Sequence, residues 1–335
     1  MFNCLSEAIC WIAQHRYGIT SILHLLDDFL TIDPPGAEAD RTMALLTMIF
    51  NKLSIPLSKH KTIGPVQRLE YLGITLDAIQ LKASLPEDKL HRINSLLITF
   101  INRKKCTKRE LLSLLGHLNF ACRVIPAGRS FISRLLYTAT SVKKLHHHVS
   151  LNNDCKADIR MWQYLLSHWN GVSFFLDNHV TKAHDMCLYT DAAGSVGFGG
   201  FFENQWFNGV WPPELSYENN DEISIAFQEL YPIIIAALLW GQYWTSKRIL
   251  FFCDNIAVVH ILNKGRSKSH IIMRLMRRLV ITAAINNFTF LAEHVPGVQN
   301  SIADALSRFQ MSRFRELAPN AQVHPCPIPS EVMFN

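Results

Sequence analysis

The chain has 335 residues, of which 49% are hydrophobic and 18% charged, and its formal net charge is +6. At roughly 150 residues per domain this length corresponds to about two domains, and the composition excludes a disordered, collagen-like or coiled-coil chain. The eight cysteines are scattered without a CxxC pair, which excludes a disulfide scaffold and a zinc-binding module. We therefore expect an intracellular protein, in the cytoplasm or the nucleus, that folds around ordinary apolar cores.

Neither export nor membrane insertion is indicated. The first ten residues lack the basic segment and following apolar segment of a secretory signal. The longest apolar run, Leu230–Trp244, has fifteen residues, which is too short for a helix across a hydrocarbon core of about 30 Å. We expect this run to form a buried helix and expect no membrane partner.

The first 85 residues are predicted to form short strands and one helix. Two apolar runs between positions 21 and 32 flank Asp27 and Asp28, which predicts a β-hairpin with the acidic pair at its tip. Helical periodicity follows over 37–53, and alternation over 69–85 predicts further strands.

Residues 86–172 are predicted to form a basic helical block. Two capping-box patterns, Ser84/Glu87 with Pro86 in the first turn and Thr107/Glu110, each indicate a helix start. Further helices are expected over 129–140 and 152–169.

Positive charge is concentrated in this block, because residues 89–150 carry twelve Lys or Arg and a single acid, Glu110. Such a block is either a solvated helical surface or a footprint for the phosphate backbone of a nucleic acid. Arg103, Lys104 and Lys105, which we place in one interhelical loop, are its candidate nucleic-acid contacts.

Residues 173–310 are predicted to form a second α/β domain, and 311–335 an extended, proline-rich tail. Repeated Gly and aromatic residues over 186–211 indicate two or three antiparallel strands, whose aromatic side chains we expect in the core rather than stacked on bases. After them, helices are expected over 224–244, 255–264, 270–286 and 300–308, and strands over 248–253 and 288–294.

Four acids of this domain stand at the ends of apolar elements: Asp191 in LYTDAAG, Glu229 in FQELYP, Asp254 in FFCDN and Asp304 in SIADALSR. Taken singly, an Asp at a strand end is more often a helix N-cap than a metal ligand. Taken together, they accompany a glycine-rich hairpin, a helix, a strand and a last helix in that order. Carboxylates brought together repel one another, and hard divalent cations with oxygen ligands offset that repulsion.

The order Asp, Glu, Asp, Asp on these elements resembles ribonuclease H. The ending HVPGVQNSIADALSR is similar to the ribonuclease H domains of long-terminal-repeat retroelement polyproteins. His294 and Asn300, ten and four residues before Asp304, match positions of the same motif.

This resemblance implies endonucleolytic hydrolysis of the RNA strand of an RNA–DNA hybrid with two Mg²⁺ ions, or Mn²⁺ in their place. It implies that Asp191 bridges both ions and that Glu229 and Asp254 share one of them. Asp304 then completes the other, and His294 moves a proton or assists product release.

The stretch HLLDDFLTI resembles the reverse-transcriptase turn that carries two catalytic aspartates, and RLEYLGITLD resembles the primer-gripping hairpin of that family. Asp27 and Asp28 match the two metal-binding aspartates, whereas Leu25 replaces the usual aromatic residue. The family's third metal-binding Asp lies farther upstream than the 26 residues that precede Asp27. The resemblance therefore implies part of a palm with a primer–template partner, and we expect no polymerase activity from this chain alone.

Other stretches, among them LSEAICWI, SLLGHLNFACRVI and HWNGVSFF, resemble the DIRS-type (tyrosine-recombinase) retrotransposons, and the resemblance extends to about Arg308. Further nucleic-acid contacts are expected at Asn255, at Asn300 and at three arginines of the predicted helix 270–286 that suit a phosphate ladder, Arg274, Arg277 and Arg278.

The expected fold is therefore α/β (α+β): a partial reverse-transcriptase palm over 1–85, a helical thumb or connection over 86–172 and a ribonuclease H-like mixed-sheet domain over 173–310. The leading functional hypothesis is a retroelement ribonuclease H. The alternatives are a catalytically silent nucleic-acid-binding protein and a recombinase of related fold, against which the presence of four acids argues. The sequence does not predict an oligomeric state.

Overall fold

The computed structural model describes residues 2–36, 39–168, 172–174, 180–182, 188–215, 223–297 and 300–332. The chain divides into two compact units, Met1–Leu81 and Lys82–Asn335. Helices and small sheets are present in both units, which confirms the predicted mixed α/β class.

The first unit contains helices α1 (Phe2–Tyr17) and α2 (Ala39–Lys52) and strands β1 (Ile22–Leu25), β2 (Asp28–Thr31), β3 (Arg68–Tyr71) and β4 (Ile74–Asp77). Strands β1 and β2 pair antiparallel with Leu25 opposite Asp28, so the predicted hairpin is confirmed. Leu26 has a φ of 55°, the left-handed backbone that tight hairpin turns use. The core of this unit includes Ile9, Ala13, Ile22, Ile49 and Phe50.

The first half of the second unit is largely helical. Its helices are α3 (Glu87–Asn102), α4 (Lys108–Ala121), α5 (Ser133–Thr140) and α6 (Asn153–His168), with a 3₁₀ turn over Pro126–Phe131. Its strands are β5 (Lys82–Ser84), β6 (Lys105–Thr107), β7 (His148–Ser150) and β8 (Val172–Phe174), and β5 pairs with β8 and β6 with β7.

One of the two predicted capping boxes is present. At the start of α4, Glu110 donates its backbone N–H to the Thr107 hydroxyl, and the Glu110 carboxylate accepts from the Thr107 N–H at 2.7 Å. The prediction at Ser84 is wrong, because Ser84 ends strand β5 opposite Val172 and Pro86 is the N-cap of α3 without a side-chain cap. Pairing with a distant strand has overridden the local signal.

The second half of the second unit contains two three-stranded sheets and five helices among the residues described. The strands are β9 (Val180–Lys182), β10 (Leu188–Ala193), β11 (Gly197–Phe202), β12 (Gln205–Val210), β13 (Arg248–Cys253) and β14 (Thr289–His294). The helices are α7 (Ile225–Trp240), α8 (Ile256–Lys264), α9 (His270–Ile285), α10 (Ser301–Ser307) and α11 (Met311–Leu317), with 3₁₀ turns over Pro213–Leu215 and Gly241–Trp244. Strands β10, β11 and β12 form an antiparallel meander, whereas β13 runs parallel to both β14 and β9.

Helix α7 and the 3₁₀ turn after it form the apolar segment singled out in the sequence. The helical segment spans 20 residues, Ile225–Trp244, rather than the fifteen of the apolar run, so by length and composition alone it meets the criterion for crossing a membrane. Of its 18-residue apolar window, 67% is buried inside the protein. This is expected of the core helix of a protein, which can be as long and as apolar as a membrane-spanning helix. The predicted buried helix is therefore confirmed.

The tail differs from the predicted extended segment. Residues 311–317 form helix α11, and Phe314 is fully buried between the rings of Phe201 and Trp206. Beyond α11, the backbone N–H groups of Gln322 and Cys326 donate to the backbone oxygens of Asn204 and of Trp206 in strand β12. The tail thus covers the edge strand β12 of the meander. A proline-rich sequence can lie there, because Pro is tolerated at the edge of a sheet.

The helical block and the later sheets belong to the same unit. Helix α6 contributes Asp158 and helix α9 contributes Arg277, and the two side chains form an ion pair of 2.9 Å in which both are almost fully buried. The expected boundary near residue 172 is therefore crossed by a buried polar contact.

Candidate active site

The four predicted acids lie on four elements of the second unit. Asp191 is in strand β10, Glu229 is in helix α7, Asp254 directly follows strand β13 and Asp304 is in helix α10. Asp191 is buried, with 8% of its surface exposed, whereas Asp254 is exposed. The arrangement therefore has a buried floor and an open side.

A glycine allows helix α10 to lie across the sheet beside Asp191. Gly199 in β11 stands opposite Asp191 in the strand register. A Cβ atom at position 199 would lie 2.5 Å from the Cβ of Leu306 in α10, a distance that real side chains do not adopt. The glycine-rich sequence of β11 thus has a direct role in bringing the Asp304 helix onto the Asp191 strand.

Electrostatic coupling shows that the acids share one neighbourhood. Burial, together with the negative charges of Asp191 and Asp254, raises the pKa of Glu229 to about 8. Burial and the charges of Asp254 and Asp304 also raise the pKa of Asp191, while a hydrogen bond from Ser307 and the charge of Arg308 oppose this shift. Each of the four acids is therefore coupled electrostatically to at least one of the others.

Asp304 is the acid whose charge is compensated. Burial alone would raise its pKa, but hydrogen bonds from Arg308 and Arg313 outweigh this and lower it. The Nε of Arg308 donates to Oδ1 and the Nη1 of Arg313 to Oδ2, each at 2.7 Å. Asp304 is thus held ionised by two guanidinium groups.

Two side chains that flank Asp304 fasten helix α10 to strand β10. The Ser307 hydroxyl donates to Oδ2 of Asp191 at 2.6 Å, and the Asn300 amide donates to the backbone oxygen of Thr190 at 2.7 Å. Ser307 is absent from the sequence prediction, although its place three residues after Asp304 puts both on neighbouring positions of one helix. The side chain of Asn300, predicted as a nucleic-acid contact, is thus engaged in a hydrogen bond that joins the start of α10 to strand β10.

The open side of the site is formed by the ends of two parallel strands. Cys253 of β13 is opposite His294 of β14, which brings His294 beside Asp254. The His294 Nε2 hydrogen-bonds to the backbone oxygen of Asp254 at 3.1 Å, and the ring is exposed. Nearby, a Cβ on Gly297 would lie 2.9 Å from an Asp254 carboxylate oxygen, so this glycine allows the loop to pass close to the acid.

Asn255 has a local role. Its side chain accepts from the backbone N–H groups of Ala257 and Val258 and forms the N-cap of helix α8. Its predicted contact with nucleic acid requires a side chain that is already engaged in capping.

The donor set suits a hard divalent cation, because carboxylate oxygens are the ligands that Mg²⁺ and Mn²⁺ take. Burial and the negative charges of Asp191 and Asp254 raise the pKa of Glu229 to about 8, and a bound cation would offset the repulsion between these acids. Over the described part of the chain, however, no three His, Cys, Asp or Glu side chains are close enough to bind one ion together.

Arg277, predicted as a nucleic-acid contact, is buried and paired, which does not suit that role. Only 3% of its surface is exposed, and its guanidinium is paired with the buried Asp158. Arg274 and Arg278 on the same helix are partly buried. The predicted phosphate ladder fails because α9 is buried on most of its circumference against α7 and α6.

The three predicted nucleic-acid contacts of the helical block, Arg103, Lys104 and Lys105, are exposed. Arg103 pairs with Glu110 at 2.7 Å, and Lys104 and Lys105 face solvent. Lys105 is not in a loop, because it begins β6 and stands opposite Ser150 of β7.

The acidic pair of the first unit lies at the hairpin tip. Asp27 and Asp28 are both exposed. Hydrogen bonds fix the backbone beside them, since the Ser6 hydroxyl donates to the oxygen of Leu26 at 2.6 Å and the Tyr71 hydroxyl to that of Asp28 at 3.3 Å. Among the residues described, no third metal-ligating side chain joins the pair.

No protein-family model and no curated protein matches the chain. Among solved structures it is similar to a foamy viral protease-reverse transcriptase dRH in complex with double-stranded DNA, at 14% identity and a TM-score of 0.42, over 87% of this chain and 49% of the other. A second similar structure is a foamy viral protease-reverse transcriptase in complex with an RNA/DNA hybrid. Its identity is 13% and its TM-score 0.39, over 86% of this chain and 37% of the other. A third is a foamy viral protease-reverse transcriptase in complex with double-stranded DNA. Its identity is 14% and its TM-score 0.42, over 88% of this chain and 60% of the other. The chain thus spans less than two thirds of the length of each of these neighbours.

Proposed function

We propose that the second unit is a ribonuclease H-type nuclease that hydrolyses the RNA strand of an RNA–DNA hybrid with two Mg²⁺ ions, for which Mn²⁺ can substitute. The observation that carries the proposal is the electrostatic coupling of three acids: burial, together with the negative charges of Asp191 and Asp254, raises the pKa of Glu229 to about 8. Acids whose pKa is shifted by burial together with specific neighbouring charges cluster at catalytic sites.

We assign the roles of the acids as the resemblance to ribonuclease H implies. Asp191 is the buried acid that is coupled to both Asp254 and Asp304, so we assign it to both ions. Glu229 and Asp254 would hold one ion with it, and Asp304 the other. When bound, the ions supply an activated water and stabilise the leaving oxygen. Since Nε2 of His294 bonds to a carbonyl oxygen, Nδ1 of this exposed ring is left to accept a proton.

A retroelement of DIRS type is our proposal for the origin of the chain, supported by its sequence resemblance to that class. In the same proposal the hairpin of Asp27 and Asp28 is the polymerase turn of a partial palm, which would contact a primer–template. Within the described residues, two exposed carboxylates without a third do not support polymerase chemistry by this chain alone.

A nucleic-acid-binding protein without nuclease activity is the second candidate. It is favoured by the two arginines that occupy Asp304 and by the absence, over the described residues, of three side chains arranged around one ion. The exposed Lys104 and Lys105 suit either candidate.

The deciding experiment is cleavage of a labelled RNA–DNA hybrid by the full chain in Mg²⁺ and in EDTA. We expect cleavage only in Mg²⁺, and a loss of more than roughly 100-fold in Asp191→Asn and Asp254→Asn, since even outer-shell changes cost 10–100-fold. Glu203→Gln, which changes an exposed acid in the turn after β11, is the matched control and should cleave normally. Hybrid binding measured by fluorescence anisotropy without any cleavage would instead establish the second candidate.

A further inference from the structure

Arg308 and Arg313 together take both carboxylate oxygens of Asp304. Arg308 donates through Nε to Oδ1 and Arg313 through Nη1 to Oδ2, and both distances are 2.7 Å. Arg308 also lies close enough to Asp191 for its charge to lower the pKa of that acid. Two guanidinium groups thus lie at the place assigned to a metal ion.

The fold holds the two arginines there in different ways. Arg308 is the C-cap residue of α10, four positions after Asp304, so the helix itself brings them together. Arg313 belongs to α11, which the fully buried Phe314 anchors to the meander. The Nη1 of Arg313 also donates to Oε1 of Gln310 at 2.9 Å, and this second bond does not depend on Asp304.

We propose that Arg308 and Arg313 occupy Asp304 in place of a cation, and that a divalent ion must displace them before Asp304 can act as a ligand. This inference rests on the proposed function. Carboxylate oxygens that accept short hydrogen bonds from two guanidinium groups cannot at the same time bind an ion at full strength. The arginine pair is therefore a built-in competitor of metal binding at one half of the site.

The contacts are of a kind that an ion can displace. Arg308 is 50% and Arg313 45% exposed, and Asp304 is 29% exposed. Ion pairs this accessible contribute little net stability, because water and salt screen them. Displacement leaves Arg313 bound to Gln310 at the edge of the site rather than free.

The test is calorimetric titration of the full chain with MgCl₂, which reports metal binding without any substrate. Arg313→Gln and Arg308→Gln keep a polar side chain and remove the charge. We expect each to tighten Mg²⁺ binding roughly two- to fivefold, as the modest strength of exposed ion pairs allows. Arg313→Lys should give a smaller change, because it retains a charge that competes for Asp304.

The control is Arg266→Gln, which removes the charge of an exposed arginine that lies before helix α9. It should leave Mg²⁺ binding unchanged. Unchanged or weaker binding in both Arg308→Gln and Arg313→Gln, with thermal unfolding like that of the unmodified chain, would overturn the inference and show that the arginines position Asp304 for the ion. Failure of the unmodified chain to bind Mg²⁺ at all would instead overturn the proposed function.

Discussion

The Ser307 hydroxyl donates a 2.6 Å hydrogen bond to Oδ2 of Asp191, a residue 116 positions away in the chain. Ser307 is fully buried and lies one turn after Asp304 on the same helix. This one hydrogen bond therefore fixes the rotamer of the central acid and the distance between the strand and the helix that carry the two halves of the site.

Removing this hydroxyl should weaken metal binding. We expect Ser307→Ala to reduce Mg²⁺ affinity roughly 10- to 100-fold, the usual cost of losing a partner that orients a ligand. Ser301→Ala, at the start of the same helix, is the control. Calorimetric titration with MgCl₂ measures both, and equal affinities in the two variants would contradict the positioning role of Ser307.

The pH dependence of stability should reveal Glu229. Its folded-state pKa of about 8 lies above the ordinary value of 4.5, so the folded chain keeps a proton that the unfolded chain releases. The stability linked to this group is therefore complete below pH 4.5 and is lost as the pH rises through about 8. The Tm should fall as the pH is raised through this range, and Mg²⁺ should restore part of it.

Glu229→Gln is the variant that isolates this effect, because it cannot ionise. Its Tm should fall less over the same pH range than that of the unmodified chain, in scanning calorimetry without divalent ions. Asp191, whose pKa is also raised, contributes in the same direction and remains in the variant. Identical pH profiles would show that the pKa of Glu229 is not raised in the folded chain.

The buried pair of Arg277 and Asp158 should matter for stability and not for nucleic-acid binding. Arg277→Ala removes the 2.9 Å partner of the buried Asp158 carboxylate, which keeps only the 3.8 Å contact with Arg134, and should cost about 3–5 kcal/mol. Arg266→Ala, an exposed residue before the same helix, should cost little. Urea unfolding gives both values.

A double variant separates the effect of the unpaired buried charge from that of the missing side chain. Arg277→Met with Asp158→Leu should recover most of the stability, since apolar replacement of a buried pair is often neutral. If Arg277→Ala instead weakened hybrid binding without loss of stability, the assignment of Arg277 to the phosphate backbone would be restored.

The exposed lysines of the helical block make a separate prediction. If Lys104 and Lys105 contact phosphates, the double change to Gln should make the salt dependence of hybrid binding weaker. The negative slope of the logarithm of the association constant against the logarithm of the salt concentration should become shallower by about 0.9 for each phosphate that is no longer neutralised. The double change of Lys59 and Lys61, exposed lysines of the first unit, removes the same charge and should not alter the slope. Fluorescence anisotropy over a salt series measures it, and equal slopes would assign these lysines to the solvated surface.

The sequence predicted those elements whose signals are local. The hairpin around Asp27, the capping box of Thr107 and the meander that contains Asp191 each follow from turn residues, caps or alternation within a few positions. The neighbourhood of the four acids was expected from their order on the elements, and the structure places them within electrostatic reach of one another.

What the sequence did not predict depends on distant partners. Ser84 failed as a cap because its backbone pairs with Val172, and Arg277 failed as a phosphate contact because α6 supplies a buried Asp158. The helix around Phe314 forms where a buried pocket receives the ring, which proline content alone does not indicate. In each case a long-range interaction outweighs a local preference.

The most direct test of the central claim is an anomalous difference map from crystals of the full chain grown with Mn²⁺. We expect two peaks, about 4 Å apart as in other two-ion sites, bounded by Asp191, Glu229, Asp254 and Asp304, with Asp304 released from Arg308 and Arg313. A map without manganese among these four acids, or with one ion and Asp304 still bound to its arginines, would contradict the claim that the four acids bind a pair of catalytic ions.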